Sequence, residues 1–401
     1  MDLKSSEPFW LVKNGIIESF PSLRVDAHCD VLVVGGGITG ALIAHQCVQD
    51  GYDTILIDKR EIANGSSSAT TSMLQYEIDV PLYRLTEKIG KAGAEAAYRA
   101  CLESIERLGQ ICTKIGSQAG FANKKSLYFA AFKKDVRSLQ DELQARAEAG
   151  LDVDWVSPED LEAQFHLQHA HGGILSTAGG SVDAYRLVHE ILLHEMGRGL
   201  RVYDKTELMD IKQHRGFNEV RLQTGASIKA RKIIFCTGYE TTKLIKEKFV
   251  DLLSSFAIVS EVNPDIGVQF PDVLIWNTAD PYLYMRTTDD GRILVGGADE
   301  EFTDAAKRDA LIGKKERDLV RSFHRHFPGT TFHSDFAWAG TFGETRDGLP
   351  YIGEHADFRN SYFVLGFGGN GITFSVIGMK MAADWLRHEK HPLSTYFRFG
   401  R

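Results

Sequence analysis

The chain has 401 residues, and 46 Lys and Arg against 54 Asp and Glu give a formal net charge of −8. At roughly 150 residues per domain, that length predicts about two or three domains, or one large α/β unit with an insertion. With 43% hydrophobic and 25% charged residues the chain can bury a large core, which excludes disordered and fibrous classes; the acidic balance gives no electrostatic basis for binding nucleic acid.

Met1 to Pro8 is polar and carries two acids, which does not read as a signal peptide. Residues 1–24, with Phe9, Trp10 and Leu11, are expected to pack as an N-terminal arm. The first strong signal is Asp30-Val-Leu-Val-Val-Gly-Gly-Gly-Ile-Thr-Gly40, in which four apolar residues predict a strand buried on both faces. A helix is expected from Ile38 to Asp50, broken at Gly51, and a second buried strand over Thr54–Asp58. Strand, glycine turn, helix and strand in succession make a βαβ unit. Asn64–Ser72 reads as a small polar loop too rich in hydroxyls to be core. Helices are predicted over 92–115 and 134–149, with another starting at Pro158. The alternation from Leu200 to Phe235 predicts a β-meander whose last strand, from Lys232, ends at Gly238. Segments 256–262, 282–287 and 292–297 read as strands of a mixed sheet, and Ile372–Glu389 as a long final helix.

The five cysteines form no C-x-x-C pair and no metal-finger spacing, which argues against a disulfide framework. His326, His333 and His355 are too dispersed for a metal site, so no metal is expected. No apolar run reaches the roughly 18 residues that span a bilayer, and the expected location is the cytoplasm.

Gly35, Gly37 and Gly40 have the dinucleotide fingerprint spacing. The first permits a tight turn, the second lets backbone approach a pyrophosphate, and the third lets the helix pack on the strand. The helix beginning at Ile38 and Thr39 would then present unpaired N–H groups and a partial positive charge to the phosphates. Asp58, 18 residues past Gly40 at the end of the next strand, can accept the ribose hydroxyls, with Lys59 beside it. Val295-Gly-Gly-Ala-Asp299 lacks this spacing, so there is a single fingerprint.

Five separated motifs are in the order and spacing of the D-amino-acid-oxidase-like flavoproteins. They are the fingerprint; the hydroxyl loop at 64–75; Ile233-Ile-Phe-Cys-Thr-Gly-Tyr239; Thr345-Arg-Asp-Gly-Leu-Pro-Tyr-Ile-Gly353; and Gly366-Phe-Gly-Gly-Asn-Gly-Ile-Thr373. The sequence resembles that superfamily, which includes glycine oxidase, sarcosine oxidase and glycerol-3-phosphate dehydrogenase, over about residues 30–390. The resemblance implies FAD as cofactor. It places Ser66, Ser67, Ser68, Thr70 and Thr71 over the pyrophosphate and flavin, Leu208 at the adenine, and Thr237 and Gly238 beneath the cofactor. It sets Asp347 at the ribityl chain or in an ordered turn. Gly368, Gly369, Asn370, Gly371, Ile372 and Thr373 would aim helix amides at the flavin edge that gains charge on reduction.

Departures from the family pattern carry their own expectations. There is no cysteine after Cys236 and no histidine in 60–80, the two positions where relatives attach FAD, so the FAD is expected to be non-covalent. Phe342 stands where glycine oxidases carry a carboxylate-binding Arg, and Arg292–Gly296 lacks the Lys that sarcosine oxidases place near the flavin. Tyr282, Tyr284 and Arg286 alternate onto one strand face, which nominates Arg286 as the anchor of an anionic substrate and the tyrosines as orienting groups.

The expected fold is α/β, with a Rossmann-like FAD-binding domain of the glutathione-reductase type interleaved with a mixed-sheet α+β substrate domain. The first collects 25–88, 178–245 and 338–390, the second 89–177 and 246–337, leaving 391–401 as a tail. The expected activity is hydride transfer from the CH–N of a small, anionic amine or amino acid to flavin N5, with O2 or another carrier as electron acceptor. Oxidation of a CH–OH in a hydroxy acid or polyol phosphate stays open, as does a non-catalytic flavin-bearing subunit.

Overall fold

A computed structural model describes residues 1–5 and 7–401. Two eight-stranded sheets carry the architecture. In the first, Ala27–Val34 lies between Thr54–Ile57 and Ser227–Phe235, parallel to both, and Ser361–Leu365 continues the parallel set beside the end of Ser227–Phe235. Successive side chains of a strand point to opposite faces, so a strand covered on both sides must be apolar throughout. Val31 and Val33 enter one hydrophobic cluster, while Leu32 and Val34 enter another on the opposite face. Helices Ile38–Gln49, Ala184–Met196 and Gly371–Leu386 contribute to the first of these clusters.

The second sheet runs, in spatial order, Ser334–Glu344, Asp251–Ser260, Ile293–Glu300, Tyr284–Thr287, Val273–Asn277, Lys125–Phe129, Gly173–Ser176, Val153–Val156. Its apolar face is covered by Ala305–His326, through Leu319 and Phe323. That helix escapes a hydrophobicity reading because its buried positions include Arg308, Lys315 and His326; its start is marked by Asp304, whose carboxylate accepts the Lys307 N–H. The chain passes between the two large sheets four times.

Three expectations are revised by this packing. Residues 338–344, expected with the nucleotide-binding domain, ladder with Asp251–Ser260 in the second sheet. Lys91–Ile115, expected with the substrate domain, sends Ala94, Ala97, Cys101, Ile105 and Leu108 into the cluster that covers the first sheet. The meander begins at Leu208; Arg201–Tyr203 instead pairs parallel with Thr54–Ile57 at the opposite edge, an address three residues cannot reveal. At the N-terminus, Phe9–Asn14 forms a short helix whose Phe9 and Trp10 are buried, and at the C-terminus Leu393 and Phe397 are buried as well.

Candidate active site

A cavity of about 430 Å³ lies where the two sheets meet. One wall is the carboxyl end of the parallel strands, where an open α/β sheet leaves a crevice. Gly35 there has φ +111°, and a Cβ on it would lie 2.4 Å from the Cys236 carbonyl oxygen, so only glycine permits the turn. A Cβ on Gly37 would lie 2.9 Å from Ser67 Oγ, which accepts the Ile38 N–H at 2.9 Å. Gly37, Ile38 and Thr39 line the cavity, so the first turn of Ile38–Gln49 opens onto it.

Asp58 also lines the cavity, at the end of Thr54–Ile57. Its carboxylate accepts the Gly36 N–H at 2.6 Å and the Arg60 N–H at 2.8 Å, while burial raises its pKa against those two bonds. Beside it, Lys59 and Arg60 converge on Glu240 at 2.7 and 2.9 Å. Burial alone would raise the Glu240 pKa, but these donors, Arg60 foremost, bring it down to about 2. Leu208, Thr237, Gly238, Ser66, Ser67, Thr70 and Thr71 complete this part of the lining.

The hydroxyl-rich segment, read as too polar to be core, is in part buried. Ser66–Ala69 forms one helical turn, and Ser67, Ser68 and Ser72 are buried. Ser68 Oγ donates to the Gly65 carbonyl at 2.9 Å. Trp338 Nε1 donates to the Ala69 carbonyl at 2.8 Å, and Trp10 Nε1 to the Thr70 carbonyl at 2.6 Å. Paired side chains and backbone make such a polar segment tolerable inside.

At the other end, Gly368, Gly369, Gly371 and Ile372 bring the N-terminus of Gly371–Leu386 to the cavity, whose lining there also includes Tyr284 of the second sheet and Tyr282 just before that strand. Gly368 has φ +73°, and a Cβ there would lie 2.4 Å from an Asp79 carboxylate oxygen; the same carboxylate accepts the Gly369 N–H at 2.9 Å. Asp299 and Glu344 are near neighbours. Loss of hydration, reinforced by Asp79, pushes Asp299 up to about 6 and Glu344 up to about 7.

Six nominated residues lie outside the lining. Gly40 packs against the turn, since a Cβ there would lie 1.7 Å from the Gly35 carbonyl oxygen. Ser68 makes the internal bond described above. Asn370 donates to the carbonyls of Gln75 and Glu77, both at 2.9 Å, and Thr373 donates to the Asn370 carbonyl at 2.9 Å. Asp347 orders its turn and pairs with Arg401 at 2.7 and 2.9 Å. Arg286, the nominated substrate anchor, is 2% exposed; its Nε donates to the Thr71 carbonyl and its Nη1 to the Thr287 carbonyl, both at 2.8 Å. Alternation fixes the face of a strand, but a long side chain turned along that face reaches the neighbouring backbone instead of the cavity.

Sequence reasoning also missed lining residues. Ser255, Phe256 and Ala257, on the strand next to Ser334–Glu344, and Leu3, from the N-terminal segment, contribute to the wall. Only long-range packing brings them there. Asp79, which accepts the Gly369 N–H without itself lining the cavity, carries no motif at all.

Residues 30–385 match the DAO family, described as FAD dependent oxidoreductase. The chain belongs to that family. It is 23% identical to the glycine oxidase of Geobacillus kaustophilus (strain HTA426) over 370 residues, covering 90% of this chain and 93% of that protein. It is 24% identical to the gamma-glutamylputrescine oxidoreductase of Escherichia coli (strain K12) over 392 residues, covering 92% and 86%. The crystal structure of the Geobacillus kaustophilus glycine oxidase superposes with a TM-score of 0.79 at 19% identity, over 94% of this chain and 99% of that one.

The residues present fit FAD. A Gly37 without a side chain leaves the space beside the helix amides that a pyrophosphate needs, Asp58 stands at the strand end, and the cavity continues to the second sheet. The chain is an FAD-dependent oxidoreductase. Among the described residues, no helix is long and apolar enough to cross a membrane, and no group of three or more His, Cys, Asp or Glu could hold a metal ion.

Proposed function

We propose that this flavoprotein oxidises the CH–N bond of a small amine, in a cavity whose two ends divide the work. At the first-sheet end, the helix amides beyond Ile38, whose own N–H is taken by Ser67 Oγ, would receive the pyrophosphate. Asp58 accepts ribose hydroxyls with the lone pairs its two backbone bonds leave free. Leu208 would border the adenine, Thr237 would lie beneath the cofactor, and the turn at 66–71 would cover the pyrophosphate. At the other end, the amides opening Gly371–Leu386 would stabilise the negative charge of a reduced flavin.

FAD, when bound, supplies a two-electron acceptor for a hydride from the substrate carbon. The protein's part is to bind, orient and desolvate. Tyr282 and Tyr284, their rings 5.5 Å apart, form the wall against which the substrate carbon is held. Their phenols stay protonated, because burial raises both pKa values. They therefore act as hydrogen-bond donors and not as bases.

The observation that carries this reading is the continuous cavity running from Asp58 to the Tyr282–Tyr284 wall across the glycine turn. The names of the glycine oxidase and gamma-glutamylputrescine oxidoreductase relatives support an amine over an alcohol. The test is anaerobic mixing of the flavin-loaded protein with matched amines, hydroxy acids and glycerol 3-phosphate. Bleaching of the oxidised flavin band by amines alone is the expected result. Bleaching by hydroxy acids or glycerol 3-phosphate with every amine silent overturns it.

A further inference from the structure

The family match begins at residue 30, so the residues before it lie outside the matched region. Residues 1–5 nevertheless reach the cofactor cavity. Leu3 is one of its lining residues, and a Cβ on Gly65, just before the hydroxyl-rich turn, would lie 3.6 Å from Leu3 Cδ1. Leu3 is itself buried.

The same five residues join the two sides of the cavity. On the second-sheet side they lie along Ser334–Glu344, the outermost strand of its sheet. Such a strand leaves a row of N–H and C=O groups unpaired, and here part of that row is taken. The Thr341 N–H donates to the Leu3 carbonyl at 2.8 Å and the Ser5 N–H to the Ala339 carbonyl at 2.9 Å, so Lys4 pairs antiparallel with Gly340. The Ala339 N–H donates to Ser5 Oγ at 3.1 Å. On the first-sheet side, Arg60 Nη2 donates to the Met1 carbonyl at 2.8 Å. A further anchor stands outside the lining. Arg308 of Ala305–His326 is buried; its Nη1 donates to the Asp2 carbonyl at 3.2 Å, and its Nη2 lies 3.5 Å from the Asp2 carboxylate.

We propose that residues 1–5 are a retaining strap of the FAD site, with Leu3 as a cofactor contact and Arg308 as the residue that positions the strap. The cavity lies where the two sheets meet, and a segment that joins Arg60 on one side to Ala339 and Thr341 on the other closes that side of it. FAD enters and leaves when the strap lifts from Ser334–Glu344. So short a ladder opens at far lower cost than the whole fold. The inference needs FAD binding alone and goes beyond the amine-oxidising reading, since it holds for any substrate.

The test measures two rates by the change in flavin fluorescence: release after dilution of the flavin-loaded protein, and uptake when FAD is added to flavin-free protein. Arg308→Ala alters no lining residue and should speed both release and uptake by about threefold or more, because a loosened strap opens the path in both directions. Ser5→Pro removes the donor to Ala339 and leaves Ala305–His326 intact, so it should do the same, and it carries the test if Arg308→Ala does not fold. Leu3→Ala should speed release by about fivefold or more and uptake by less, since it also loses apolar contact with the bound cofactor. Unchanged rates in either folded strap variant overturn the proposal. Faster release with slower uptake in both also overturns it, because that pattern marks a site weakened as a whole. Wild-type release in Leu3→Ala overturns the contact assigned to Leu3.

Discussion

Arg286 Nε donates to the carbonyl oxygen of Thr71 at 2.8 Å, tying the second sheet to the hydroxyl-rich turn at 66–71. With Trp338 on Ala69 and Trp10 on Thr70, three side chains from three parts of the chain hold three consecutive carbonyls. Arg286 also lies 5.6 Å from the Trp10 ring centroid, a cation–π approach. Burial lowers its pKa only to about 10, so it remains charged at neutral pH. Arg286→Ala should therefore act on the fold and on flavin retention. Two carbonyls lose buried donors, and a cost of about 2–4 kcal/mol is expected. Urea midpoints and flavin content measure it, and Arg286→Lys should restore little, because one ammonium cannot reproduce two fixed N–H directions.

The fingerprint glycines should fail in different ways. Gly37→Ala puts a Cβ 2.9 Å from Ser67 Oγ and disturbs the Ile38 amide, so it should weaken flavin binding by about tenfold or more, and Gly37→Val should abolish retention. Gly40→Ala drives a Cβ into the Gly35 backbone at 1.7 Å and should instead prevent stable folding. Absorbance ratios for the first and soluble yield for the second separate the two effects.

The acids at the substrate end make a pH prediction for the flavin-free protein. Asp299 and Glu344 have folded pKa values raised to about 6 and about 7, so across about pH 4 to 7 the folded state binds more protons than the unfolded one. Their contribution is present at low pH and fades as pH rises through those values. Asp299→Asn combined with Glu344→Gln should raise the thermal midpoint relative to wild type at pH 8, and do so less at pH 5. Equal shifts at both pH values would contradict the assigned environments.

Attachment is directly testable. All five cysteines are buried and none is paired, and Cys236 is the only one in the lining among the described residues, its thiol pKa raised by burial. A thiol held protonated is a poor nucleophile. Acid precipitation should leave the flavin in the supernatant, and flavin in the pellet would contradict non-covalent binding.

The first sheet was readable because its determinants are local. Val31–Val34 must be apolar to be covered on both faces, and Gly35, Gly37 and Gly40 announce the turn by spacing alone. The substrate end was not. Asp79, Asp299 and Glu344 lie 220 and 45 residues apart in sequence, and only the packing of two sheets gathers them. Arg286 was legible as to strand and face, but its destination depends on the carbonyl of Thr71, contributed by a segment that reads as too polar for core. Polar segments become core when distant donors satisfy their backbone, and no local pattern carries that information.

The proposed chemistry is hydride removal from a carbon bonded to nitrogen. The most direct measurement is anaerobic single-turnover reduction of the bound flavin by an amine carrying deuterium on the carbons next to nitrogen, against the protiated compound. The amine should reduce the flavin, and deuterium should slow the reduction several-fold. Flavin that stays oxidised with amines and is reduced by a hydroxy acid or glycerol 3-phosphate would contradict it.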